Sequence, residues 1–233
     1  MILITGGSGI LGTKLDHLLT ENGNELFCPG KCDLNINDPF GTYSMKGIKL
    51  IVHCAAFTNL VLAEKEKELC YQTNVIGTRN LAKLGIPMLY ISTEYVFDGE
   101  KGNYNEEAYP NPVNFYALTK LLGEYESRHT RSVVIRCLFK PNPFKHLFAC
   151  ADQFTTGDYV ERIAPEIAHA IKIFDKLPPT IHIGFEKKST FELARKTREV
   201  KPIKVEDVKE VKLPKDTSLD TSLWRSIRGN PIC

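Results

Sequence analysis

The sequence predicts an α/β protein with a doubly wound parallel sheet and a small C-terminal lobe. Short apolar runs alternate with amphipathic stretches of helical length, the first run opens straight into the glycine loop TGGSGILG, and the alternation lapses between residues 139 and 159. Strands alternating with helices of about 10–15 residues favour parallel βαβ units with helices on both faces of the sheet.

Residues 2–5 form the first expected strand and residues 9–21 the first helix. Strands follow at 25–28 and 49–54, then a long helical stretch at 63–84, a strand at 88–92, a helix at 116–128 and a strand at 133–138. Pro141, Pro143 and Gly157 break the rhythm and mark the first part of the lobe. Regularity returns with a helix at 163–174, halted before Pro178 and Pro179, and a strand at 180–184. Ser189 and Glu192 have the spacing of a capping box for a helix at 189–197, and the Lys- and Val-rich tail holds a short strand within 201–215. Residues 1–140, completed by 161–185, are expected to form the main domain, and 141–160 with 186–233 the lobe.

With 233 residues, 42% of them hydrophobic, the chain can bury a substantial core. Its net charge of +2 balances 30 basic against 28 acidic residues without a dense basic stripe, so nucleic acid is not an expected partner. No charged leader or long apolar stretch is present, which points to a cytoplasmic protein that does not enter membranes. The seven cysteines, Cys28, Cys32, Cys54, Cys70, Cys137, Cys150 and Cys233, lack CxxC and zinc-ligand spacing. They read as reduced thiols, and no metal is expected.

A phosphate can rest on a helix N-terminus only where the preceding turn is tight and its N–H groups lie open, which calls for glycine. Gly6, Gly9 and Gly12 stand at those positions, between a strand and a helix, and make the loop a dinucleotide cradle. The second strand ends near Cys28 and Pro29, where the adenosine ribose of such a cofactor would lie. Asp33 could bind ribose hydroxyls as in NADH, whereas Lys31 could pair with the 2′-phosphate of NADPH; Lys31 tips the expectation towards NADPH.

Tyr116 and Lys120 stand four residues apart on a helix face. A phenol titrates near ~10, and an ammonium one turn away eases its proton exchange at neutral pH. The run MLYISTEYVFDG reads as a buried strand that brings Ser92 and Thr93 to the carboxyl edge of the sheet, where ligands bind in open α/β folds. A hydroxyl there can orient a substrate carbonyl towards the donor. Glycine loop, hydroxyl, phenol and lysine together point to hydride chemistry.

These residues resemble the extended short-chain dehydrogenase/reductase superfamily, and more closely its dTDP-4-dehydrorhamnose reductase family. The resemblance runs through TGGSGILG, HCAAFT from His53, NVIGT from Asn74, ISTEYVFDG from Ile91, NPVNFYALTKLLGE from Asn111, DQFTTGDYVE from Asp152 and PKDTSLDTS from Pro214. It implies a Rossmann domain that binds NADPH or NADH, a nucleotide-sugar lobe, and reduction of the 4-keto group of a nucleotide-linked 6-deoxysugar, the chemistry of dTDP-rhamnose biosynthesis. Thr93 is then the orienting hydroxyl, Tyr116 the proton donor and Lys120 its partner. Ile10, Leu11, Leu34, Cys54, Ala55, Ala56, Thr58 and Asn74 join the glycines, Lys31, Asp33, Tyr116 and Lys120 around the cofactor, and Thr93, Glu94, Tyr95 and Phe139 face the substrate. A homodimer is the assembly that such relatives often adopt.

Related dehydratases carry two acidic residues after the threonine; here Tyr95 follows Glu94, which favours the reductase. Several positions depart from the family. Only residues 139–151 connect the strand ending near Leu138 to the DQ motif, Phe139 replaces a tryptophan, Glu94 an aspartate, and Val61 and Leu62 a charged pair. The shortened connection keeps open a catalytically inactive cofactor-binding regulatory subunit of the same fold; a nucleotide-sugar epimerase/reductase, which needs an additional acid/base pair for which Glu94 and Tyr95 are the candidates, is the other alternative.

Overall fold

A computed structural model describes residues 1–38 and 45–229; Cys233 lies outside them. The first half runs β1 (Ile2–Thr5), α1 (Ile10–Glu21), β2 (Leu26–Phe27), β3 (Leu50–His53), α2 (Leu60–Lys65), α3 (Lys67–Tyr71), α4 (Gly77–Ala82), β4 (Met88–Thr93), α5 (Phe115–Ser127) and β5 (Ser132–Cys137). The second half runs β6 (Phe139–Lys140), β7 (Phe148–Cys150), β8 (Phe154–Thr155), β9 (Asp158–Tyr159), α6 (Val160–Lys172), β10 (Thr180–His182), β11 (Lys188–Ser189), α7 (Thr190–Ala194), β12 (Lys201–Ile203) and α8 (Ser222–Arg228).

Six strands form one parallel sheet in the order β10-β5-β4-β3-β1-β2, with Ile2 opposite both Leu26 and Leu50. This is the doubly wound Rossmann arrangement. From β1 the chain passes outward to β2 and then returns to β3 on the other side of β1. The loops leaving β1 and β3 therefore diverge, and a crevice opens between them.

Burial on both faces explains the nearly unbroken apolar character of the central strands. Successive side chains alternate between faces. Ile4, Val52, Leu89 and Ile135 pack beneath α1 and α6 with Leu15, Ile163 and Ile167, while Leu3, Ile51, Met88, Tyr90 and Val134 pack with Leu81 on the opposite face. Each such aliphatic side chain contributes roughly 1.5–3 kcal/mol through removal from water.

The helical stretch expected at 63–84 is divided. It breaks at Glu66 (φ −111°, ψ 52°) and passes through a π-helical turn at Gln72–Ile76. That turn carries Asn74, whose amide accepts from the Phe57 N–H at 2.8 Å and donates to the Phe57 carbonyl at 3.1 Å. Helix α7 has the expected capping box between Ser189 and Glu192.

The irregular part of the chain is built from three short strand pairs: β6 with β9, β7 with β12 and β8 with β11. Phe144, Ala149, Tyr159, Leu193 and Ala194 form its own small core. The tail does not belong wholly to this lobe. Trp224 on α8 is buried in the main core, and its indole N–H donates to Glu166 on α6 at 2.8 Å. Among the described residues, no helix is long and apolar enough to cross a membrane.

Candidate active site

Gly6 has φ +69°, and a Cβ there would lie 2.8 Å from the Ala55 nitrogen, so the loop leaving β1 is seated against the exit of β3. A Cβ on Gly12 would stand 2.3 Å from the Gly6 carbonyl oxygen, which fixes α1 tightly behind the loop. Gly9 is the N-cap of α1, has no side-chain capping bond, and is followed by a first turn without acidic residues. The N–H groups of Ile10, Leu11 and Gly12 consequently have no intrahelical acceptors, a setting suited to a phosphate.

The other expected cofactor contacts differ in what they can do. Ile10 is exposed beside the loop, whereas the Leu11 side chain belongs to the main core, so only its backbone can serve a ligand. Lys31 and Thr58 are exposed, and Leu34 is buried in the core with Leu3 of β1 and Ile51 of β3. Asp33 turns its carboxylate onto the Gly30 N–H at 3.2 Å and caps its own turn. Cys54, Ala55 and Ala56 follow β3 in partly buried positions at the crevice. Asn74 is buried, and its amide is hydrogen-bonded to Phe57 and, at 2.9 Å, to the Thr119 hydroxyl. It supports the site from behind.

Thr93 closes β4, and its hydroxyl caps the following turn by accepting from the Tyr95 N–H at 3.2 Å. Asn114 caps α5 by accepting from the Ala117 N–H, which starts the helix so that Tyr116 lies in its first turn beside Thr93. Burial pushes the half-buried Tyr116 phenol well above the ordinary range, and hydrogen bonding with the Thr93 hydroxyl pulls in the opposite direction. Lys120, one turn further, is 3% exposed. Its Nζ donates to the Ile91 carbonyl at 2.7 Å and lies 4.1 Å from the centre of the Tyr90 ring. Burial lowers its pKa to about 8.

The expected substrate-facing residues are drawn inward. Glu94 is fully buried, accepts from the Thr217 hydroxyl at 2.7 Å, and is pushed up to about 7 by desolvation. Its other carboxylate oxygen has no partner among the described residues. Tyr95 is buried with its hydroxyl accepting from Gln153 at 3.2 Å, so both residues tie the main domain to the lobe in this state. Phe139 is half-buried against the main core. Ser92 hydrogen-bonds Glu124 at 2.5 Å instead of turning towards the crevice. Two surface cavities, of about 430 and 290 Å³, lie elsewhere: one around Lys187, Glu192 and Arg195, the other around Lys67, Pro112 and Leu118.

Several supporting residues escaped the sequence reading. Glu124, Arg136 and Gln153 hold the site's own groups in place. Glu124 was within reach of it, because it repeats the four-residue spacing of Tyr116 and Lys120. No group of three or more His, Cys, Asp or Glu among the described residues could hold a metal, and Cys28, Cys32, Cys54, Cys70, Cys137 and Cys150 are free thiols.

A doubly wound sheet with a glycine cradle and a Thr, Tyr and Lys constellation at its carboxyl edge defines a protein of the extended short-chain dehydrogenase/reductase class. The family model for the RmlD substrate binding domain matches residues 1–139, and the chain belongs to that family. It is 36% identical over 141 residues to the methionine adenosyltransferase 2 subunit beta of Xenopus tropicalis, a match covering 54% of this chain and 42% of that relative. The chain thus spans about two fifths of that relative's length. A hypothetical dTDP-4-dehydrorhamnose reductase from Sulfolobus tokodaii superposes with a TM-score of 0.86 at 32% identity, covering 97% of this chain and 94% of that one. The dTDP-4-dehydrorhamnose reductase of Bacillus anthracis, solved in complex with NADP, gives 0.85 at 27% identity over 97% and 92%.

Proposed function

We propose that this chain is an NAD(P)H-dependent reductase of the 4-keto group of a nucleotide-linked 6-deoxysugar. The observation that carries the reading is the meeting of the Thr93 hydroxyl and the Tyr116 phenol at the carboxyl edge of the sheet, with Lys120 one turn along α5. The open N–H groups of α1 and the close-packed Gly6 and Gly12 fit a dinucleotide diphosphate. Lys31 suits the 2′-phosphate of NADPH. Ala55 and Ala56 would flank the cofactor beyond it, and when bound the nicotinamide supplies the hydride.

The chain's residues do the rest. Thr93 hydrogen-bonds the keto oxygen and fixes its orientation. Tyr116 delivers a proton to that oxygen as it becomes an alcohol, and its raised pKa keeps the proton in place beforehand. Lys120 stabilises the phenolate that remains. In Tyr116→Phe, turnover should be lost while NADPH affinity stays almost intact; unchanged turnover removes Tyr116 from the mechanism.

The abbreviated lobe, the inward placement of Glu94 and Tyr95, and the similarity to a methionine adenosyltransferase subunit favour a second reading, a cofactor-binding regulatory subunit. Titration with dTDP- and UDP-sugars separates the two, since a regulatory subunit should bind NADPH and none of the sugars. An epimerase/reductase would also exchange carbon-bound hydrogen of the keto sugar in deuterated water without cofactor. The only carboxyl group directly following Thr93 is that of Glu94, which is sealed from solvent.

A further inference from the structure

Glu124 follows Lys120 on α5 at the same four-residue interval by which Lys120 follows Tyr116. The three residues therefore share one helix face. Glu124 is 2% exposed and is fixed from two strands. Arg136 on β5 donates from Nε to Oε1 at 3.0 Å and from Nη2 to Oε2 at 2.7 Å, and Ser92 on β4 donates to Oε1 at 2.5 Å. A buried ion pair is weak evidence of stability, because removing both charges from water costs several kcal/mol and apolar residues often fill the same space as well. Its location is more informative. Ser92 immediately precedes Thr93, and Glu124 is one turn from Lys120.

We propose that Glu124, clamped by Arg136 and Ser92, is a positioning residue of the active site that keeps Lys120 an ammonium and holds α5 in register with β4. This rests on the reductase reading. Burial favours the neutral amine, and of the surrounding groups Glu124 acts most strongly in the other direction. The other titratable groups that face Lys120 are the Tyr90 phenol, raised well above its ordinary range by burial, the thiols of Cys54, Cys70 and Cys137, and the His53 imidazole. Burial raises all three thiols and lowers His53 to about 3, so these groups are uncharged at neutral pH. Glu124 is the anion of the set.

The test is an NMR titration of the Lys120 side chain in cofactor-free protein carrying isotope-labelled lysine, with the resonance assigned by its loss in Lys120→Met. Glu124→Gln preserves shape and should lower the Lys120 midpoint by about one pH unit or more. Glu124→Asp keeps a carboxylate and should restore much of that shift. Glu124→Gln combined with Arg136→Met removes the stranded guanidinium and should move the midpoint in the same direction if the single variant does not fold. The pH profile of turnover should move with the NMR midpoint. A wild-type midpoint in a folded charge-removed variant overturns the proposal, as does failure of all three variants to fold, which would assign the pair to the core alone. A shifted midpoint in the variants, together with folded wild-type protein that binds NADPH but reduces no nucleotide-linked keto sugar, would refute the reductase reading and leave Glu124's control of Lys120 standing.

Discussion

The Lys120 ammonium is bound to strand β4 through the Ile91 carbonyl, 2.7 Å from Nζ. The lysine is thus held at a fixed anchor, and its charge is carried in a buried place.

That placement gives stability a particular pH dependence. The folded pKa of about 8 lies below the ordinary 10.5, so between these values the unfolded chain holds a proton that the folded chain has released. Stability contributed through Lys120 therefore rises with pH across this window, by up to about 3 kcal/mol. Cys54 opposes it: burial raises the thiol from 9.0 to about 12, so stability is lost as pH climbs above 9.0. Lys120→Met isolates the lysine. Urea unfolding at about pH 7.5 and about pH 10 should show the wild type gaining roughly 2 kcal/mol relative to the variant. A constant difference would mean that Lys120 does not titrate in this range.

Gly12→Ala should damage the cofactor cradle. Its new Cβ would sit 2.3 Å from the Gly6 oxygen and 2.8 Å from the Gly7 Cα, both backbone atoms that cannot rotate away. Helix α1 must move off the loop, at a cost of about 1–3 kcal/mol. NADPH fluorescence titration should show affinity falling at least tenfold, whereas Ser8→Ala, at an exposed position of the same loop, should bind normally.

Glu94 should make the folded state less stable as pH rises from 4.5 to about 7, the interval in which the unfolded carboxyl ionises first and the folded one stays protonated. Glu94→Gln cannot ionise and can still accept from Thr217. Thermal melts should therefore find the variant and wild type alike at about pH 4 and the variant more stable at about pH 8, by up to about 3 kcal/mol. Equal stability at both pH values would place the Glu94 titration outside the window.

The residues that announced the fold are those whose role is local. MILIT followed by TGGSGILG specifies a strand, a tight loop and a helix within a dozen residues, and YALTK specifies its helix face in five. Ser189 and Glu192 likewise needed only each other. What stayed hidden depends on distant partners. The break at Glu66 and the π turn around Asn74 lie inside a stretch whose apolar periodicity continues, and it is Phe57 and Thr119 that capture Asn74. Strands of two or three residues, such as β7 pairing with β12, are too short for alternation to register. Glu94 and Tyr95 read as crevice residues because they follow Thr93; only Thr217 and Gln153, far along the chain, show that they are engaged elsewhere.

Trp224 provides a test of how the tail is joined to the fold. Its ring is buried in the main core beside α6, its indole donates to Glu166, and Arg228 one turn later pairs with the same carboxylate at 3.0 Å. Trp224→Ala removes the largest apolar side chain of α8 and strands one oxygen of Glu166, so the loss should reach about 3–5 kcal/mol. Trp224→Phe restores most of the ring volume while leaving Glu166 without the indole donor, and should cost about 1–3 kcal/mol. If the tail were an appendage of the lobe, truncation at Trp224 would loosen the lobe first and leave α1 and α6 protected. The packing requires the opposite: hydrogen exchange in Trp224→Ala should accelerate in α6 and β10 together with α8, while the amides of α7 and β12 keep their protection relative to the wild type.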